Sequence, residues 1–188
     1  SEPPACAVIA TLPPAFLLRM QVLLGSEYPA FLAAYQQPPV AGLRLNTLKL
    51  AKAAWETLAP YPLSPVPWCP TGYSLQAGES NSEPSPPPPS KHPFHAAGLY
   101  YLQDPSAMVA AELLAPQPGE RVLDLAAAPG GKTTHLAALM QGEGLLVANE
   151  IHPQRAWDLA ENLERCGVRN AAILNETPTR LAAHFGDY

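Results

Sequence analysis

Arg121-Val122-Leu123-Asp124-Leu125-Ala126-Ala127-Ala128-Pro129-Gly130-Gly131-Lys132-Thr133-Thr134 decides the fold. A short apolar strand ends in an acid, small residues turn the chain, and a helix follows at once. Small residues let the backbone approach a ligand closely, and the helix start offers unpaired N–H groups to it. Downstream, Leu145-Leu146-Val147-Ala148-Asn149 reads as a second buried strand, ending in Glu150. An acid at that strand end can accept hydrogen bonds from the two hydroxyls of a ribose. A third strand, Ala171 to Leu174, leads to Asn175, whose amide can both donate and accept at a purine edge. The expected class is α/β.

Two phosphate-binding loops compete with this reading. A P-loop requires glycine, four residues, then Gly-Lys-Thr. Gly131-Lys132-Thr133 supplies the end, but Ala126 stands where the first glycine belongs. A Gly-x-Gly-x-x-Gly dinucleotide fingerprint is also absent, because Gly130 and Gly131 are adjacent.

The Leu-Asp-Leu strand followed by Ala-Ala-Ala-Pro-Gly-Gly-Lys-Thr resembles the S-adenosylmethionine loop of RNA (cytosine-5)-methyltransferases of the Nol/Nop/Sun type. The likeness is greatest to the RsmF-type ribosomal RNA enzymes. Two further stretches match that family: Arg44-Leu45-Asn46-Thr47-Leu48-Lys49, and Tyr101, Gln103 and Ser106 ahead of the loop. The resemblance implies the N-terminal half of a Rossmann-like methyltransferase sheet, preceded by a small α+β RNA-facing domain. It implies S-adenosylmethionine held by Ala126, Ala127, Ala128, Pro129, Gly130, Gly131 and Lys132, with Glu150 on the ribose and Asn175 on the adenine. The family often has aspartate at the Asn175 position. Tyr101, Gln103 and Ser106 would pack beside the methionine end of the cofactor.

The implied reaction is methyl transfer to C5 of cytosine in RNA, small-subunit ribosomal RNA first and transfer RNA as the rival substrate. The chemistry requires a cysteine thiolate that adds to C6 and a second cysteine for product release. The family carries these in Asp-Ala-Pro-Cys-Ser-Gly and Thr-Cys-Thr motifs, and neither occurs here. The nucleophile is therefore expected beyond residue 188. The chain starts at Ser1 and stops after three strands, and it reads as the N-terminal part of a larger protein. From other classes, a P-loop-like nucleotide-binding protein and a non-enzymatic RNA-binding protein remain as alternatives.

Composition bounds the partners. The 188 residues are 47% hydrophobic, enough for one good core. A formal net charge of −5 disfavours a protein that coats nucleic acid and leaves room for an enzyme with a local basic groove. No apolar run is long enough to span a bilayer, so no membrane partner is expected. Cys6, Cys69 and Cys166 are widely spaced and odd in number, which gives no disulfide framework and no zinc site. The expectation is a cytoplasmic monomer without a metal.

Along the chain, residues 1–78 read as the N-terminal RNA-facing module, 79–93 as a proline-rich loop, and 94–188 as the first half of the methyltransferase domain. The 24 prolines are more than twice the roughly 5% of ordinary usage. Phe16, Met20, Leu23 and Leu24 share a helical face that Gly25 ends. A second short helix carries Phe31, Leu32 and Tyr35. Leu43-Arg44-Leu45-Asn46 alternates, placing Leu43 and Leu45 on a core and Arg44 with Asn46 on a face suited to phosphate or base contact. Ala51 to Leu58 forms a helix, and 61–91 has poor periodicity. Asp104 and Pro105 start a helix from which Met108, Leu113 and Leu114 pack on the sheet. On the helix from Pro153 to Cys166, Trp157 and Leu163 point inward. His92, His95 and His135 are read as structural or solvent-exposed, and Cys166 as an apolar filler.

Overall fold

Pro13 and Pro14 start the first helix, where a missing N–H costs nothing. In the computed structural model, residues 12–35, 37, 40–76 and 86–185 are described. They belong to two compact units, Ser1–Pro39 and Val40–Tyr188. Cys6 and the low-complexity core of the proline-rich loop lie outside the described residues.

The first unit is a helix pair, α1 (Pro14–Leu24) and α2 (Tyr28–Ala34). Gly25, at φ 50°, stands at the end of α1 as the sequence expects. Phe31 is its aromatic hub, with ring centroids 6.1 Å from Phe16 and 5.0 Å from Tyr35. Leu23 is 65% exposed, so it does not join the Phe16–Met20 face.

The second unit opens with β1 (Gly42–Leu45), α3 (Lys52–Leu58), β2 (Leu63–Val66) and β3 (Cys69–Leu75). After the proline-rich stretch come α4 (Pro93–Ala96) and β4 (Tyr100–Leu102). The four strands form one antiparallel sheet in the order β2-β3-β1-β4. Leu43, Leu45, Trp55, Tyr73 and Tyr100 make its core. The hairpin β2–β3 falls in the segment that sequence periodicity left without structure. Pro65 breaks the pattern, yet β2 is an edge strand with an irregularity between Pro65 and Val66, where a missing N–H is tolerated.

A 3-10 turn from Pro105 to Met108, capped by the Asp104 side chain on Ser106 N, leads into α5 (Val109–Leu114). Then β5 (Arg121–Asp124), α6 (Gly131–Leu139), β6 (Leu145–Asn149), α7 (Pro153–Cys166), β7 (Ala171–Leu174) and α8 (Pro178–Phe185) alternate. Their strands form a parallel sheet in the order β5-β6-β7, as the apolar runs predict. Val122, Leu136, Ala137, Met140 and Leu146 form one core between sheet and α6; Ala127, Ala148, Leu159 and Leu163 form another against α7.

Two expectations about packing are corrected. Trp157 is 73% exposed, while Leu159, Leu163 and Cys166 are the buried residues of α7. At 3.6 residues per turn, Trp157 and Leu163 lie about 120° apart and cannot share a face. Leu113 and Leu114 are exposed; Met108 and Ala111 carry the contact instead.

The first compact unit ends at Pro39. β4, placed by the sequence reading in the second half, pairs with β1 in register Leu43↔Leu102 and Leu45↔Tyr100. Among the described residues, no helix is long and apolar enough to cross a membrane.

Candidate cofactor site

The loop after β5 is held at both of its ends. Asp124, the last residue of β5, accepts from Thr133 Oγ1 at 2.8 Å and from Ala126 N at 3.3 Å, closing the turn on itself. Ala127 N donates to Asn149 O at 2.8 Å, pinning the loop to the end of β6. Gly130 sits at φ 108°, left-handed backbone that L side chains rarely adopt, and is the N-cap of α6. No side chain caps this helix, which leaves its first N–H groups to a ligand carboxylate. Ala127, Ala128 and Gly130 are buried, Gly131 is half-buried, and Ala126, Pro129 and Lys132 are exposed. A groove of about 210 Å³ opens beside them, lined by Leu123, Asp124, Leu125, Lys132 and Leu136 with Leu114 of α5.

Helix α7 secures the loop from the other side. Arg155 Nη2 donates to Ala128 O at 2.8 Å and Asn162 Nδ2 to Pro129 O at 2.9 Å. Tyr101 Oη donates to the same Pro129 carbonyl at 3.2 Å. The Ala128 and Pro129 carbonyls are therefore taken up by α7 and β4.

Glu150 is 3% exposed. Its Oε1 accepts from His152 N at 3.0 Å, and its Oε2 lies 3.4 Å from Arg155 Nη1. These contacts occupy two of about four lone-pair positions, leaving capacity for two hydroxyls. Asn175 lies alongside: its Nδ2 donates to Glu150 O at 2.6 Å, which takes one amide N–H and leaves the other groups for a ligand. Asn149 ties the neighbouring backbones, donating to Leu125 O at 3.2 Å and Glu176 O at 2.9 Å. The loop, Glu150 and Asn175 thus occupy the carboxyl ends of three adjacent parallel strands, where open α/β sheets bind ligands.

The Arg44 to Lys49 stretch has another place than expected. Arg44 and Asn46 are 2% and 5% exposed, so they offer no surface to phosphate or base. β1 is an inner strand covered on both faces, which simple alternation does not reveal. The Arg44 guanidinium donates to Gly131 O and Thr134 Oγ1, both at 2.7 Å, and to Gln103 Oε1. Burial pulls its pKa down to about 10, so it remains charged at neutral pH. Asn46 Nδ2 donates to Gly98 O and to Cys166 O, both at 2.8 Å, and Lys49 Nζ donates to Ala97 O and Arg165 O. The last two carbonyls of α7 are thereby satisfied from the turn that follows β1. Gly98, at φ 69°, permits this contact: a Cβ there would lie 2.0 Å from Arg165 O.

Of the other singled-out residues, Gln103 is engaged by Arg44, and Ser106 Oγ donates to Asp104. Neither points its polar group into the groove. His92 Nδ1 accepts from Phe94 N and caps α4. His135 is buried; desolvation first, and then the Arg44 charge, push it down to about 3, so the ring is neutral. Cys166 is 1% exposed, and burial pushes its thiol up, as an apolar filler requires.

Residues 12–105 match the family described as the N-terminal domain of 16S rRNA methyltransferase RsmF, and residues 111–187 the family described as 16S rRNA methyltransferase RsmB/F. Ribosomal RNA small subunit methyltransferase F of Vibrio vulnificus is 44% identical over 171 residues, covering 87% of this chain and 35% of that protein. The chain thus spans about a third of the length of the curated relatives it matches. A methyltransferase homologue from Pyrococcus horikoshii superposes with TM-score 0.75 at 28% identity, over 93% of this chain and 60% of that one. NSun6 from the same organism, solved with SFG, shares the fold with TM-score 0.76 at 20% identity, over 91% of this chain and 67% of its own.

Proposed function

The chain belongs to the RsmF family of 16S rRNA methyltransferases, and from that membership we propose that its protein transfers a methyl group from S-adenosylmethionine to C5 of a cytosine in small-subunit ribosomal RNA. One observation carries the reading: the loop 126–132, Glu150 and Asn175 converge at the carboxyl ends of β5, β6 and β7.

Within this chain the residues have separable tasks. The start of α6 and the Gly130–Gly131 backbone receive the carboxylate end of the methionine. The Glu150 carboxylate accepts the ribose hydroxyls, and the Asn175 amide addresses the adenine edge. Lys132, exposed and lining the groove, offers positive charge to the carboxylate of the methionine end. When bound, the cofactor supplies an electrophilic methyl group on sulfur. The antiparallel sheet β2-β3-β1-β4 is proposed as the RNA-facing part, through surfaces other than Arg44 and Asn46. The protein is proposed to act in the cytoplasm as a monomer.

The test uses the full-length protein with tritiated S-adenosylmethionine and unmodified small-subunit ribosomal RNA, beside transfer RNA. Label at cytosine C5 of the ribosomal RNA is the expected result. Label confined to transfer RNA would overturn the substrate, and absence of cofactor binding would overturn the site.

A further inference from the structure

Among the described residues, one group of metal-ligating side chains lies outside the cofactor groove. Cys69 begins β3, Glu112 lies on α5, and His135 lies on α6. His135 Nε2 is 3.0 Å from Glu112 Oε1 and 3.9 Å from Cys69 Sγ, and the three ligand atoms all lie within 4.8 Å of one another. Cys69 and His135 are each 1% exposed, whereas the Glu112 side chain is 21% exposed and gives access from outside.

The geometry separates two uses of such a trio. In a cysteine–histidine–acid relay, the thiol faces one ring nitrogen and the carboxylate orients the other. Here both partners face the same nitrogen, Nε2, while Nδ1 is buried without a hydrogen-bond partner. A proton cannot be relayed through a ring contacted on one side only. Convergence of sulfur, nitrogen and oxygen on a common point is instead how a cation is held. A tetrahedral zinc ion with ordinary bond lengths sets sulfur and nitrogen about 3.6 Å apart and nitrogen and oxygen about 3.4 Å apart. The two separations here straddle those values.

We propose that Cys69, Glu112 and His135 form a zinc-class cation site joining the antiparallel sheet to α5 and α6. Mixed thiolate, imidazole and carboxylate donors suit zinc over the hard cations magnesium and calcium. On binding, Cys69 releases its proton to solvent, and thiolate and carboxylate together balance the divalent charge. Water reached along the Glu112 side completes four-coordination. Because α6 begins at Gly131, the cation would fix the helix that carries the end of the cofactor loop.

The experiment is cobalt titration of chelator-treated, full-length protein, followed by zinc back-titration. The expected result is one equivalent of cobalt with a thiolate-to-cobalt charge-transfer band and tetrahedral visible bands, abolished by zinc. Cys69→Ser should remove the charge-transfer band, and Cys166→Ser should keep it. Glu112→Gln, at the accessible edge, should weaken cobalt by more than about tenfold, the lower end for losing even an outer-shell partner. Folded wild-type protein that retains no cation overturns the proposal. So does a charge-transfer band that survives in Cys69→Ser.

Discussion

Arg44 Nη2 donates to Thr134 Oγ1 at 2.7 Å, bridging 90 residues of sequence between an inner strand of the antiparallel sheet and the first turn of α6. Thr134 Oγ1 in turn donates to Gly130 O at 2.8 Å, so the charge acts on the cofactor loop through this hydroxyl as well as directly at Gly131 O. Among the described residues, no carboxylate forms an ion pair with Arg44; its partners are carbonyl, hydroxyl and amide oxygens.

Arg44→Met is expected to destabilise the protein by about 2–4 kcal/mol, because buried acceptors lose their donor and water cannot replace it. Arg44→Lys should recover less than half of that, since an ammonium cannot reproduce the planar fork. Urea unfolding measures both. An unchanged midpoint for Arg44→Met would mean that the three bonds contribute nothing net.

Asn46→Ala is expected to cost about 1–3 kcal/mol by stripping Gly98 O and Cys166 O of a buried donor. Lys49→Met, whose bonds to Ala97 O and Arg165 O are exposed, should cost less than about 1 kcal/mol. Thermal unfolding of the pair would refute the assignment if the order were reversed.

Gly130→Ala places a side chain on backbone at φ 108°, with the new Cβ 3.3 Å from Leu159 Cδ1 and 3.4 Å from Asn162 Cβ. The expected cost is about 1–3 kcal/mol of stability, together with weaker cofactor binding because the α6 N-terminus moves. Calorimetry on the folded fraction separates the two effects. Full stability in the variant would show that the loop tolerates a second conformation.

Glu150→Ala in the full-length protein is expected to weaken S-adenosylmethionine by about 1.5–3 kcal/mol, the range for hydrogen bonds to a charged group. Arg155→Met should weaken it less, because Arg155 steadies Glu150 and Ala128 O without taking the place of either. Isothermal titration measures both, with circular dichroism as a check on folding. Equal affinity for Glu150→Ala and the wild type would remove Glu150 from the site.

The cofactor half was legible because its signals are local. Val122, Leu146 and Ile173 lie in short apolar strands, each followed within a few residues by its polar or small-residue site group. The β2–β3 hairpin was not legible, since Pro62, Pro65, Pro67 and Pro70 hide an antiparallel pair that survives because β2 lies at an edge. Arg44 was assigned to a solvated face because alternation along one strand cannot reveal that α6 covers the other side. Cys69 and His135 meet across 66 residues, a distance over which spacing carries no information.

β1 draws one neighbour from before the proline-rich stretch and the other from after it. A chimera that exchanged residues 1–78 for those of a relative would therefore part the edge strand β4 from the other three and leave Tyr100–Leu102 of one parent against β1 of the other. Three side chains of the incoming piece, Arg44, Asn46 and Lys49, would also have to find carbonyls at Gly131, Cys166 and Arg165 of the host. Recombination in this lineage should consequently keep residues 42–102 together with the helix ends they hold, and crossovers between related enzymes should be tolerated earlier, near residue 39.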